Sequence, residues 1–160
     1  MAQSKYAGFW MRFIAYLIDA IILNMVNWFV LFPILGAIGF GIGASSGIDF
    51  DSMTDGDILA VATAIGGLIF AGGLIGTIIN ILYFTIMEAS KYQGTIGKMA
   101  LGLKVTDQKG GKLDIGKALI RQLGKIVSGI ILFIGYIMAG FTEKKQALHD
   151  MIAGTLVVKK

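Results

Sequence analysis

The sequence predicts an all-α membrane protein with two transmembrane helices, a third short membrane segment that is re-entrant or broken, and a small cytoplasmic β element. Three observations predict it. Hydrophobic residues fill 56% of the 160 positions and charged residues only 15%, where a soluble domain carries roughly 25% charged residues. Two apolar runs, Phe13–Leu35 and Ile58–Met87, are long enough to cross a bilayer. Basic residues are absent between Arg12 and Lys91 and crowd the chain thereafter.

The same composition excludes several functions. A soluble chain of this length could not hide so much apolar surface in one core. There is no cysteine, which removes disulfides, thiol chemistry and cysteine-based metal sites. A single histidine removes multi-histidine metal sites. The net charge of +4 comes without a basic arm interleaved with stacking aromatics, so nucleic acid is not an expected partner. Glycine fills 23 positions, which in an apolar chain indicates close helix packing.

The first membrane segment, about 13–35, starts beside Phe9, Trp10 and Arg12, an aromatic and basic interfacial anchor. Asp19 interrupts the run and no small-residue cleavage site follows, so a cleaved signal peptide is not expected. The connector at about 36–57 is glycine-rich and then acidic, with Asp49, Asp51, Asp55 and Asp57 and no basic residue. Such a loop belongs outside. Ser52 or Thr54 can cap the second segment, about 58–87, and Asp55 and Asp57 suit its N-terminal dipole. Gly72 and Gly76 form a GxxxG step, expected to pack on the first helix or to join copies of the chain.

The stretch 91–117 is basic and therefore cytoplasmic. Within it LKVTDQKGGKLDIG reads as a β-hairpin, and Thr155–Val158 is a further strand candidate. The third segment, about 118–141, contains only 16 strongly apolar residues, Ile126–Phe141. As helix they extend roughly 24 Å, short of a hydrocarbon core of about 30 Å. Basic residues flank it on both sides, which favours a hairpin returning to the cytoplasm with the tail 142–160; a single span is the alternative. The whole chain, 1–160, reads as one membrane domain.

Asp19 is the most informative residue, because an aspartate inside a spanning helix costs about 2.5–3.5 kcal/mol on insertion scales. Arg12, Tyr16 and Asn27 fall on its side of the helix, within about 80°. Arg12 stands roughly 10.5 Å from it along the axis, too far to pair directly. On the second helix Thr77, Asn80, Phe84 and Glu88 form a second stripe. By depth and sign Glu88 suits Arg12, and Arg121 suits Asp19. Two readings stay open for Asp19, Asn27, Asn80 and Arg121: an ion or proton path, or a clasp between helices.

Other patterns are weaker. The four connector aspartates do not match the calcium-loop spacing. His149 and Asp150 are adjacent but have no nucleophile motif nearby, so no enzyme is expected. GTIGKMALG lacks the phosphate-loop spacing and reads as a tight interfacial turn, with Lys98 reaching lipid headgroups or an acid. No metal or cofactor is expected.

Three motifs in order resemble the RDD family of bacterial and archaeal membrane proteins: GFWMRFIAYLIDAIIL, then QGTIGKMALGLKVTD with GKALIRQ, then KKQALHDMIAGTLVV. The family is named for one arginine and two aspartates, which map to Arg12, Asp19 and Asp150. The resemblance implies that these three work as a set, with Asp150 as the partner of Arg12 ahead of Glu88. It further implies a multi-pass protein of the bacterial inner (plasma) membrane with a cytoplasmic N-terminus, related to transport. Monovalent cation/proton exchange through Asp19 would then require a homo-oligomer or a membrane partner. The rival expectation is an accessory or scaffold protein of a membrane complex, with its buried charges structural.

Overall fold

A computed structural model describes residues 5–45, 53–131 and 134–160. The chain divides into two compact units, residues 1–21 with 80–160, and residues 22–79. Helix α1 (Phe9–Val26) runs into a π-helical turn, Asn27–Leu31, and then into α2 (Phe32–Ser45). Pro33 explains the turn. It has no N–H to donate to the carbonyl four residues back, and its ring clashes there. The helix widens instead, and Phe32 N–H bonds to Asn27 O, one residue further than in an α-helix. Helix α3 covers Asp55–Ala89. Thr54 starts it as expected: its hydroxyl accepts from Asp57 N–H at 3.3 Å, and the Asp57 carboxylate accepts from Thr54 N–H at 2.9 Å. Ser52, Asp49 and Asp51 lie outside the described residues.

Phe9–Gly41 and Asp55–Ala89 are both long and apolar enough to cross a membrane. Each is longer than the sequence runs implied, since the glycine-rich residues after Leu35 continue as helix to Ser45 rather than forming loop. Their apolar side chains point outward: Phe29 is 77% exposed and Phe70 69%. Surfaces of this kind are stable against lipid, not water.

In the unit 22–79, two glycines of α3 serve close contact. A methyl group at Gly72 would lie 2.6 Å from Leu35 Cδ1, and one at Gly76 would lie 3.8 Å from the Asn27 side chain. The GxxxG step therefore packs inside the chain.

The other unit holds the remaining elements: α4 (Ile96–Ala100), β1 (Leu103–Asp107), α5 (Ile115–Ile130), α6 (Ile134–Ile137) continued by a 3-10 turn to Gly140, α7 (Leu148–Ile152) and β2 (Thr155–Lys159). Strands β1 and β2 pair antiparallel, Leu103 opposite Lys159 through Asp107 opposite Thr155. The two-run hairpin expected within 103–116 does not form. Asp107 turns the chain by accepting from Lys109 N–H and Gly111 N–H at 2.9 and 2.7 Å. On the other edge of β1, Val105 N–H already bonds to Gln93 O. With both edges of β1 taken, the second run has no strand to pair with. The N-terminal segment joins β2 instead: Ala7 N–H donates to Val157 O and Lys159 N–H to Lys5 O, both at 2.9 Å. Both ends of the described chain thus sit on one small sheet, over a core of Ala7, Ala15, Leu103, Val105 and Val157.

Helix α5 is capped by Asp114, whose carboxylate accepts from Lys117 N–H at 2.8 Å. Its amphipathicity is inverted. Arg121, Gln122, Gly124 and Ser128 are buried, while Leu119, Leu123, Ile126 and Ile130 face outward. Between α5 and 134–140 the axis bends by 118°. The third segment is therefore a bent helix pair, as the flanking charges suggested, and it starts at Ile115, not near 118. The expected interfacial turn at GTIGKMALG is instead the short helix α4.

Candidate functional site

Helices α1, α3, α4, α5 and α7 bring seven ionisable groups to one place. Glu88, at the end of α3, is fully buried. It pairs with Lys98 of α4, lies 3.3 Å from Arg121 Nη1, and has Lys125 Nζ at 3.9 Å. Arg121 also reaches Asp150 of α7, Nε to Oδ1 at 3.0 Å. Asp150 completes the chain of charge by pairing with Arg12 of α1. One arginine, Arg121, thus links the two buried carboxylates. Removing one member of a buried ion network leaves its partner charged and uncompensated, at a cost of about 3–5 kcal/mol.

Arg12 spreads its guanidinium over three acceptors on different segments: Asp150, Ala7 O at 2.9 Å through Nε, and Lys145 O at 2.6 Å through Nη2. Burial alone would raise the Asp150 carboxyl; Arg121 and Arg12 overrule it and hold it below the ordinary carboxylate range. The Oδ2 that pairs with Arg12 also accepts from Ala147 N–H at 3.1 Å, which starts α7. Beside it, His149 is pushed down to about 3 by burial, against the pull of Asp150 and helped by Arg121, Lys125 and Arg12. It is therefore neutral at pH 7. Its Nδ1 lies 3.3 Å from Ser128 Oγ. Burial likewise lowers the Lys98 ammonium, against the pull of Glu88.

Asp19 stands apart from this network. Its carboxylate is fully buried and accepts from Tyr83 Oη at 2.9 Å, from Gly97 N–H at 2.8 Å and from the Thr95 hydroxyl. Three neutral donors replace the expected Arg121. The physical reason is the close seating of α4. A methyl group at Gly97 would lie 2.0 Å from Ala15 O, so the backbone N–H there reaches the carboxylate before a long side chain could.

Arg12, Asp19, Glu88, Arg121 and Asp150 are thus brought together in the same unit as the structure places them. Arg12 takes Asp150 rather than Glu88. Tyr16 is 56% exposed and does not join an interior stripe. Asn27 belongs to the other unit beside Gly76, and Asn80 is half-buried on α3. Among the described residues neither bonds to a member of the cluster. Sequence reasoning missed Tyr83, Thr95, Gly97 and Lys125. Only the GTIGK pattern and the periodicity of Arg121, Lys125 and Ser128 on α5 pointed toward them.

A cavity of about 330 Å³ opens beside the cluster. Arg12, Lys98, Arg121 and Lys125 line it, with Asp19, and Phe13, Tyr16 and Ile137 form part of its apolar wall. Among the described residues no group of three or more His, Cys, Asp or Glu is placed to hold a metal.

Two helices of bilayer length with outward apolar faces define an integral membrane protein. Residues 6–154 match the RDD family, and the chain belongs to it. It is 41% identical over 158 residues to "Uncharacterized protein YxaI" of Bacillus subtilis, covering 99% of this chain and all of that protein. It is 29% identical over 155 residues to "Uncharacterized membrane protein YteJ" of the same organism, covering 96% of this chain and 80% of that one. A 70-residue stretch is 41% identical to "Uncharacterized protein RP437" of Rickettsia prowazekii, 42% and 38% of the two chains. No solved structure matches the chain.

Proposed function

We propose that the protein is a non-transporting accessory or scaffold protein of the bacterial plasma membrane, not an enzyme, with Arg12, Asp19 and Asp150 clasping its helices. One observation carries this reading. The Asp19 carboxylate already accepts from three donors, two on Oδ1 and one on Oδ2. An ion-exchanging carboxylate needs lone pairs that a cation and a proton can occupy in turn, and coupling sites usually sit near the membrane midplane. Glu88 and Asp150 are also engaged by cations of the chain itself. Lys104, Lys109, Lys112, Lys144 and Lys159 crowd the unit that carries both chain ends, so the positive-inside rule puts that side in the cytoplasm.

The second reading is monovalent cation/proton exchange by a homo-oligomer. The observation that favours it is that Asp19 lines a cavity.

Flux in proteoliposomes separates the two. The accessory reading expects no cation-dependent proton flux with the full chain. It also expects Asp19→Asn to cost about 1–3 kcal/mol of stability in detergent, because an amide cannot accept from all three donors. That loss should be the same in sodium, potassium and choline salts. Flux by the native chain that disappears in Asp19→Asn overturns it.

A further inference from the structure

The charges of the cluster are sorted by direction. All four basic residues, Arg12, Lys98, Arg121 and Lys125, line the cavity. The two carboxylates that balance them, Glu88 and Asp150, are fully buried and do not line it. The one acid on the wall, Asp19, already accepts three hydrogen bonds. With Lys98 and Lys125 protonated, four basic and three acidic groups leave a surplus of one positive charge, and all four basic residues are among those that line the cavity. His149, also on the wall, adds none.

The cations are not equally occupied. Arg12, Lys98 and Arg121 each make close contacts with carboxylates. Lys125 Nζ stays 3.9 Å from Glu88, beyond hydrogen-bond range, and rests 4.1 Å from the centre of the Phe84 ring. Among the described residues it is the cation of this group without a hydrogen-bonded carboxylate. Most of the cavity wall is apolar, and three of its residues, Phe13, Tyr16 and Ile137, are also exposed on the outer surface. In a chain whose outer surface faces lipid, a largely apolar cavity that four cationic side chains help to line has the polarity of an anionic amphiphile.

We propose that this cavity binds the phosphate headgroup of an anionic membrane lipid, with Lys125 as its contact cation and the acyl chains leaving past Phe13, Tyr16 and Ile137. The phosphate completes the coordination that Glu88 leaves open at Lys125, and the surplus charge is neutralised. This inference goes beyond the accessory reading and does not depend on it, since a lipid site is compatible with flux or with its absence.

The test uses the full chain, delipidated in a neutral detergent. Phosphatidylglycerol, phosphatidylcholine with identical acyl chains, and inorganic phosphate alone are added separately. Bound lipid is counted by native mass spectrometry and the thermal midpoint is read in parallel. Phosphatidylglycerol is expected to be retained and to raise the midpoint, with little effect of the other two. Lys125→Gln should weaken that retention about fivefold, the effect of removing one lysine near an anionic headgroup. Lys117→Gln, the same charge change at an exposed position of α5, should retain the lipid like the native chain. Equal retention of both lipids by the native chain overturns the proposal without recourse to any variant. So does undiminished phosphatidylglycerol binding by Lys125→Gln. A midpoint raised as far by phosphate alone overturns the lipid as its source.

Discussion

Arg12 and Asp150 lie 138 positions apart and form one buried ion pair that ties the start of α1 to the start of α7. The same guanidinium also takes the carbonyls of Ala7 and Lys145. Four segments therefore meet at one planar group, and the N-terminal residues that it steadies are those that pair with β2.

Arg12→Ala should destabilise the chain by about 3–5 kcal/mol, because it leaves Asp150 buried with one arginine in place of two. Arg12→Lys should recover only a small part of that. A single ammonium cannot reach three acceptors lying in different directions, whereas the guanidinium fork does. Chemical unfolding in detergent measures both. Full stability of Arg12→Lys would show that the geometry of the fork is unimportant.

His149 is the single histidine of the chain, so its titration can be read without interference. Its folded value is about 3, below its ordinary 6.5. Between those two values the unfolded chain binds a proton that the folded chain refuses. Stability is therefore full above about 6.5 and is lost as the pH falls toward about 3. Within the window the slope approaches roughly 1 kcal/mol per pH unit. His149→Gln should flatten the range from about pH 5 to 6.5, above the ordinary carboxylate values. A native midpoint that does not change across that range contradicts the neutral, buried histidine.

Gly97→Ala should break the seating of α4 on α1, since the added methyl would meet Ala15 O at 2.0 Å. Overpacking of this kind costs about 1–3 kcal/mol. Gly129→Ala, with nothing within 4 Å of the added methyl, should be neutral or stabilising. Thermal midpoints of the two variants in one detergent make the comparison. Equal midpoints would mean that Gly97 is not held tightly.

The sheet that joins both ends predicts their sidedness. The chain has no cysteine, so single cysteines at Lys5 and Lys160 can be labelled cleanly. Both should react from the same face of sealed vesicles, because Lys5 O and Lys159 N–H are bonded. Labelling from opposite faces would contradict the pairing of the N-terminal segment with β2.

Much of the scaffold is legible in the residues. The two spans follow from runs of apolar side chains, and Thr54 marks the start of α3 by a local hydrogen bond that its spacing from Asp57 reveals, whereas the cap at Asp114 lay hidden inside the expected hairpin. The bend in the third segment follows from its short apolar length and its basic flanks. The β1–β2 pairing was not legible, because the turn at Gly110–Gly111 is a strong local hairpin signal. The partners of Asp19 were not legible either. Tyr83 and Thr95 are ordinary residues in sequence, and the Gly97 N–H is backbone, which no residue pattern announces.

By itself the sequence determined the solvent of the protein, the existence of its two long helices, and the sorting of positive charge to one end. These are properties of single residues summed over short windows, and they survive without knowledge of neighbours. Only the tertiary structure decided which cation meets which carboxylate, that Asp19 is answered by neutral donors, and that the four basic residues line a cavity which Glu88 and Asp150 do not line. Hydrogen bonds and buried ion pairs act over a few ångströms, so they depend on the close approach of α1, α3, α4, α5 and α7, which contact at small residues such as Gly97 and Gly124.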